Sequence, residues 1–281
     1  MDFGAAGLGM EPGAIAMLVL ALLAGGLITG FLAGLLGIGG GGILVPVLFE
    51  TFSAVGVPDD IRMQMVLGTS FAVIVPTAWR SFRSHLARGA VDTALLRRLG
   101  PSVVAGVLVG IALVSVASGT ALKWIWVICG SVLALKMALG REHWRLGDDM
   151  PKSRLLEVAA FAIGLISTLM SIGGGMFFVS LLTLYGKPIL NAVATSSGFG
   201  PMIAIPALAG YIWAGWGAFG LPPLSLGYVS LIGAAIIIPA SVLAAPLGVR
   251  VAHGISRRSL ELAFAAFLAV VIARMLASLL G

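Results

Sequence analysis

Charge is scarce in this 281-residue sequence. Asp, Glu, Lys and Arg make up 10% of it, against about 25% in a soluble domain. With 59% apolar residues and a mean hydropathy of +1.11, a soluble globular class is excluded. Cysteine is nearly absent: Cys129 stands alone inside a hydrophobic stretch, which rules out an intrachain disulfide framework and reads as small-residue packing. The three histidines, His85, His143 and His253, all fall in segments predicted to be cytoplasmic loops, so an intramembrane serine hydrolase would lack its base. No Asp or Glu occupies the middle of a hydrophobic run, which removes the usual carboxylate proton carrier of many pumps. A Walker A motif is missing as well, so any energy coupling is expected to be electrochemical. The expectation is a non-enzyme with no cofactor and no metal. The net charge of +6 does not point to nucleic acid, because no basic soluble domain carries it.

What the sequence does contain is ten hydrophobic runs. They fall at 13–36, 43–57, 65–82, 99–117 and 121–139, then at 155–172, 175–186, 191–214, 226–247 and 259–280. Several approach or exceed the roughly 20 apolar residues that span a bilayer. The start, Met1-Asp2-Phe3, has no basic n-region, so the first run is expected to be a membrane helix and not a cleaved signal. Thirteen of the seventeen basic residues collect on one side of a ten-segment arrangement, in the loops around Arg80–Arg98, Arg141–Arg154, Lys187 and Arg250–Arg258. The positive-inside rule makes that side cytoplasmic and puts both termini outside the cytoplasm, in a multi-pass protein of the cell (inner) membrane surrounded by lipid.

Glycine breaks two of these runs. Gly39, Gly40, Gly41 and Gly42 interrupt the first, and Gly173, Gly174 and Gly175 the second, at an offset of 134 residues. Each Gly costs a helix interior roughly 1 kcal/mol relative to Ala, and exposed backbone in lipid survives only where protein or a water-filled cavity covers it. The repeat continues: Gly68-Thr69-Ser70 matches Ala194-Thr195-Ser196, Arg88-Gly89-Ala90-Val91 matches Trp216-Gly217-Ala218-Phe219, and Lys136-Met137 matches Arg274-Met275. Five segments per copy is an odd number, so the second copy must be inverted. The predicted fold is an all-α polytopic membrane protein with a first inverted repeat over 1–139, a cytoplasmic linker over 140–154 and a second inverted repeat over 155–281. Glycine-broken helices should meet near the midplane, as in many secondary transporters.

The doubled glycine motif, each copy followed by a Gly/Ala-Thr-Ser element, resembles the TauE/SafE family of sulfite and organosulfonate exporters. The resemblance covers the chain from about Leu20 to Met275. It implies a permease whose partner is a small inorganic or organic sulfur oxyanion. Ser180 replaces Pro46 in the second copy, so the two halves need not touch a ligand alike.

A helix that starts just after a glycine cluster leaves backbone N–H groups without intrahelical partners. Those donors and the helix dipole favour an anion, and glycine lets an oxyanion approach closely. The candidate binding residues are therefore Gly39, Gly40, Gly41, Gly42, Gly173, Gly174 and Gly175, with hydroxyls from Thr69, Ser70, Thr195, Ser196 and Ser197 and the amide of Asn191. The competing reading is that small residues only let helices pack closely, as Gly106-x-x-x-Gly110 is expected to do. Arg80, Arg83 and His85 are candidates for a cytoplasmic vestibule, or solvated loop residues. Trp213 and Trp216 are candidates for an outer gate, or, like Trp124 and Trp126, interfacial anchors. Lys123 is expected to snorkel to an interface. Three functions stay open: an exporter working by alternating access, an anion channel with the same constriction, and a membrane assembly protein that transports nothing.

Overall fold

The computed structural model describes residues 12–36, 41–139, 147, 150, 153–252 and 257–280. Their elements are α1 (Pro12–Leu36), α2 (Gly41–Ala54), α3 (Asp59–Ala87), α4 (Thr93–Val116), α5 (Gly119–Leu139), α6 (Arg154–Met170), α7 (Gly175–Leu184), α8 (Ile189–Ala214), a hairpin of β1 (Ser225–Leu226) and β2 (Val229–Ser230), α9 (Leu231–Ala252) and α10 (Arg257–Leu280). Helices dominate because a chain in lipid must satisfy its backbone internally. Helices α3, α4, α5 and α8 and the Leu231–Gly248 part of α9 are each long and apolar enough to cross a membrane. Helices α2 and α7 are not: at 14 and 10 residues they reach about 21 and 15 Å, short of the roughly 30 Å hydrocarbon core.

Helices α3 and α8 form the centre and run antiparallel. Gly68 faces Tyr211, Ala78 faces Gly200 and the Phe82 ring faces Gly198. The Phe71 and Tyr211 rings stack at a tilt, 5.7 Å apart. Two flanking pairs, α1 with α9 and α4 with α6, depend on glycines for close approach. A Cβ on Gly30 would lie 2.1 Å from the Ser241 carbonyl oxygen, and one on Gly164 would lie 2.3 Å from that of Val103. Gly106 serves the same contact, its Cβ position being 2.1 Å from the Phe161 carbonyl oxygen. These residues bring backbones together, as small residues do in membrane helix packing. Helix α10 adjoins α5, whose last carbonyls, Met137 and Ala138, accept hydrogen bonds from the Arg258 guanidinium.

Three expectations are corrected. The run 226–247 does not begin as helix: Gly227 takes φ +55° inside the hairpin, and α9 starts only after Ser230, whose hydroxyl caps it by accepting the Gly233 N–H at 3.1 Å. Lys123 does not snorkel. Its side chain is 2% exposed and its Nζ lies 2.9 Å from Asp59 Oδ1 and 5.1 Å from the Phe49 ring centroid. A carboxylate at the head of α3 supplies the counter-charge that an interface would otherwise provide. Trp126 is fully buried and no interfacial anchor, whereas Trp124 is exposed.

Candidate functional site

The second glycine break is built by two left-handed residues. Helix α6 ends at Ser171, with φ 51° and ψ 43°, and the Ser171 hydroxyl donates to the Leu67 carbonyl of α3 at 3.0 Å. Gly174 follows at φ +70°, a conformation that glycine takes without the Cβ penalty. Helix α7 then starts with no side-chain cap. Its first intrahelical bond runs from the Phe178 N–H to the Gly174 carbonyl at 3.0 Å, so the N–H groups of Gly175, Met176 and Phe177 face the break without intrahelical partners. Helices α3 and α8 wall this point. Ile74 Cγ2 lies 3.3 Å from where a Gly173 Cβ would be, and the Cβ position of Gly200 lies 3.8 Å from the Gly173 carbonyl oxygen.

Two hydroxyls mark the place. Ser167 Oγ, on α6, lies 3.5 Å from the Cβ position of Gly174; its side chain is buried and meets no hydrogen-bonding partner among the described residues. Ser70 Oγ is buried and unpartnered in the same sense. Helical spacing puts Ser70 on the face of α3 that carries Leu67 and Ile74, the two residues that contact Ser171 and Gly173. Gly174 is also demanded by packing, because a Cβ there would come within 2.4 Å of Ile203 Cδ1.

The other candidate residues are distributed differently. Gly39 and Gly40 lie outside the described residues. Gly41 opens α2 and Gly42 is buried. Pro46 follows one turn later and lacks the N–H that would bond back to the Gly42 carbonyl. Thr69 looks away from the break, and its hydroxyl accepts the Ser230 N–H at 2.9 Å. Thr195 does the equivalent for the Asp92 N–H at 3.0 Å. Ser196 and Ser197 donate to carbonyls of their own helix, Val193 and Ala194. Asn191 is exposed and lines, with Lys187 and Thr195, a cavity of about 200 Å³ at the start of α8. Arg80 and Arg83 are exposed and His85 is half-buried, and none of the three lines that cavity. Trp213 and Trp216 are exposed at the C-terminal end of α8.

Sequence reasoning missed Ser167, the Lys123–Asp59 pair and the pair formed by Lys187 Nζ and Asp92 Oδ2 at 3.3 Å. Only Asp92 carried a legible signal, an acidic residue just ahead of an apolar run. It caps α4 by accepting the Leu95 N–H at 3.0 Å. Among the described residues no group of His, Cys, Asp and Glu could hold a metal ion.

The chain resembles known proteins over most of its length. A protein of Haemophilus influenzae named "Probable membrane transporter protein" is 33% identical over 254 residues, 90% of this chain and 96% of that protein. A probable membrane transporter protein of Methanocaldococcus jannaschii is 27% identical over 246 residues, 87% of this chain and 90% of its own. One from Bacillus subtilis is 27% identical over 190 residues, 61% of this chain and 70% of its own. No solved structure matches. The family described as "Sulfite exporter TauE/SafE" matches residues 22–275. This multi-pass membrane transporter, with a glycine-broken helix start against its central helix pair, belongs to the sulfite exporter TauE/SafE family.

Proposed function

We propose that the protein exports a small sulfur-containing oxyanion, sulfite or an organosulfonate, by alternating access between two inverted halves at 1–139 and 155–281. The observation that carries this reading is the α7 start. Three backbone N–H groups at Gly175–Phe177 lack intrahelical partners, the buried, unpartnered Ser167 hydroxyl adjoins Gly174, and the likewise unpartnered Ser70 lies on the α3 face that meets the break. A buried hydroxyl without a partner costs about 1–3 kcal/mol. An oxyanion accepts from all of these donors and gains from the positive end of the helix dipole. Sulfite and sulfonates carry three acceptor oxygens; a carboxylate carries two and satisfies fewer donors.

Two matched sets of contacts support the inverted halves. Thr69 holds the N–H of Ser230, which caps α9. Thr195 holds the N–H of Asp92, which caps α4. In the same way Gly30 of α1 meets Ser241 of α9, while Gly164 of α6 meets Val103 of α4. Each half gives the other what it receives, as a two-fold axis requires, and α3 antiparallel to α8 lies across that axis. Gly89 and its match Gly217 both take positive φ, and the offset then rises from 128 there to 138 at Asp92 and Ser230, so the second half carries about ten extra residues between Gly217 and Ser230. With the Arg-rich loops in the cytoplasm, an interior-negative potential drives anion export at about 2.3 kcal/mol per charge per 100 mV.

The test is counterflow in proteoliposomes loaded with sulfite, alongside binding to the purified protein. Saturable, slow exchange is expected, with tighter binding of sulfite or sulfoacetate than of acetate. Large unitary currents would overturn the carrier mechanism, and equal affinity for acetate would overturn the oxyanion site.

A further inference from the structure

The two helical hairpins that carry the glycine breaks are built alike at their tips and differ in length. Gly56-Val57-Pro58 joins α2 to α3, and Gly186-Lys187-Pro188 joins α7 to α8. Both glycines take φ +75°, and the two prolines cap their helices with φ −54° and −53° and ψ 140° and 141°. Helix α2 has 14 residues and α7 has 10. Eleven positions separate Pro58 from Thr69, and seven separate Pro188 from its counterpart Thr195. Each arm of the second hairpin is thus short by about one turn, and its tip stops roughly 6 Å lower.

The long hairpin is braced by its neighbours. Gly119 of α5 packs on its first turn, its Cβ position 2.8 Å from the Asp59 carbonyl oxygen, and a Cβ on Gly220 would lie 3.1 Å from Pro58 Cγ. Lys123 is buried on Asp59, and the Arg62 guanidinium donates twice to the Val57 carbonyl, at 2.8 and 3.0 Å. Beside the short hairpin lies the cavity of about 200 Å³, lined by Asp92, Leu182, Lys187, Asn191 and Thr195 among others. Lys187 is 40% exposed and its contact with Asp92 is long, 3.3 Å. Asp92 is already committed through its other oxygen to the Leu95 N–H. Helix α8 opens here behind Pro188, with no side-chain cap and a first intrahelical bond only from Ala192 N–H to the Pro188 carbonyl. A half-exposed ammonium, a free amide and a positive helix end therefore share one opening. From Thr195, Ser196 and Gly200 continue along α8 to the Gly173 carbonyl, about 8 Å away along the helix axis.

We infer that this cavity is the cytoplasmic mouth of the anion path, an entry site for small oxyanions in which Lys187 exchanges its contact with Asp92 for the arriving anion while the opposite, longer hairpin keeps the outer side shut. The inference rests on the proposed transport function and orientation. The test is cysteine accessibility in membrane vesicles. In a Cys129→Ala background, Asn191→Cys is labelled with the sulfonate-bearing and the trimethylammonium-bearing methanethiosulfonates, both membrane-impermeant. Labelling is expected from the cytoplasmic side, and sulfoacetate, but not acetate, should slow it. Adding Lys187→Gln should lower the sulfonate-to-ammonium rate ratio roughly three- to tenfold, as loss of one nearby charge in a partly solvated site implies. Labelling only from outside, or a rate ratio unmoved by Lys187→Gln, overturns the inference. Absence of sulfoacetate protection with intact sulfite counterflow overturns the entry assignment alone, and absence of both overturns the transport reading with it.

Discussion

Replacing Ser167 by Ala separates a ligand-binding role of the second glycine break from a packing role. The Ser167 hydroxyl is buried, adjoins Gly174 and has no hydrogen-bonding partner among the described residues. Its desolvation, about 1–3 kcal/mol, is therefore incurred without return in the ligand-free protein. Removing it should leave thermal stability unchanged or raise it, since the void left by one oxygen is small. The loaded state behaves oppositely. A hydrogen bond to a charged acceptor contributes about 1.5–3 kcal/mol, so the affinity for sulfite should fall roughly ten- to a hundredfold. The assay is isothermal titration of detergent-solubilised wild type and Ser167→Ala with sulfite, paired with melting curves. Unchanged affinity would refute the reasoning, because the hydroxyl would then face nothing that binds. A lower melting temperature would refute it too, by showing a native partner for the hydroxyl. Ser70→Ala should behave in the same way if both donors address one anion.

Other substitutions probe the frame that holds the break. Gly174→Ala forces a Cβ onto φ +70° and to within 2.4 Å of Ile203 Cδ1, and should destabilise by about 2 kcal/mol; adding Ile203→Val, which removes that atom, should recover part of the loss in a melting assay. Thr69→Val leaves the buried Ser230 N–H without its acceptor and should cost about 1–3 kcal/mol, read as a lower unfolding midpoint. Asp59→Ala strands the 2% exposed Lys123 ammonium and should destabilise by roughly 2 kcal/mol, the cost of breaking a buried pair discounted for the exposure of Asp59. Lys123→Met, which removes the buried charge itself, should cost less than Asp59→Ala, and the reverse order would show that the pair is not what holds Lys123.

Much of the fold was legible because lipid leaves a chain few options. Ten apolar runs anticipate ten helices, and Gly173–Gly175 marks the break that separates α6 from α7. The start of α3 was not legible. Its first turn, Asp59-Asp60-Ile61-Arg62, reads as a polar loop, yet acidic residues at a helix N-terminus are favourable and Lys123 supplies a counter-charge from 64 residues away. The hairpin at 225–230 was equally hidden within an apolar run, since only Gly227 breaks it. Of the candidate site, the backbone part at Gly173–Gly175 could be read from composition, and the side-chain part could not. Ser167 looks like any small residue near a helix end until α6 turns through Ser171 and sets it beside Gly174.

The sequence by itself determined the membrane class, the run of apolar helices and the break between α6 and α7, because hydropathy and glycine act locally along the chain. The tertiary structure decided which polar groups remain available. Adjacent hydroxyls at Thr69 and Ser70 point to opposite fates, one bonded to Ser230 across 161 positions of sequence and the other unpartnered. Thr195 is engaged in the same way by Asp92, 103 positions away. Whether a hydroxyl is engaged or available depends on how its helix is rotated against distant neighbours, and packing sets that rotation.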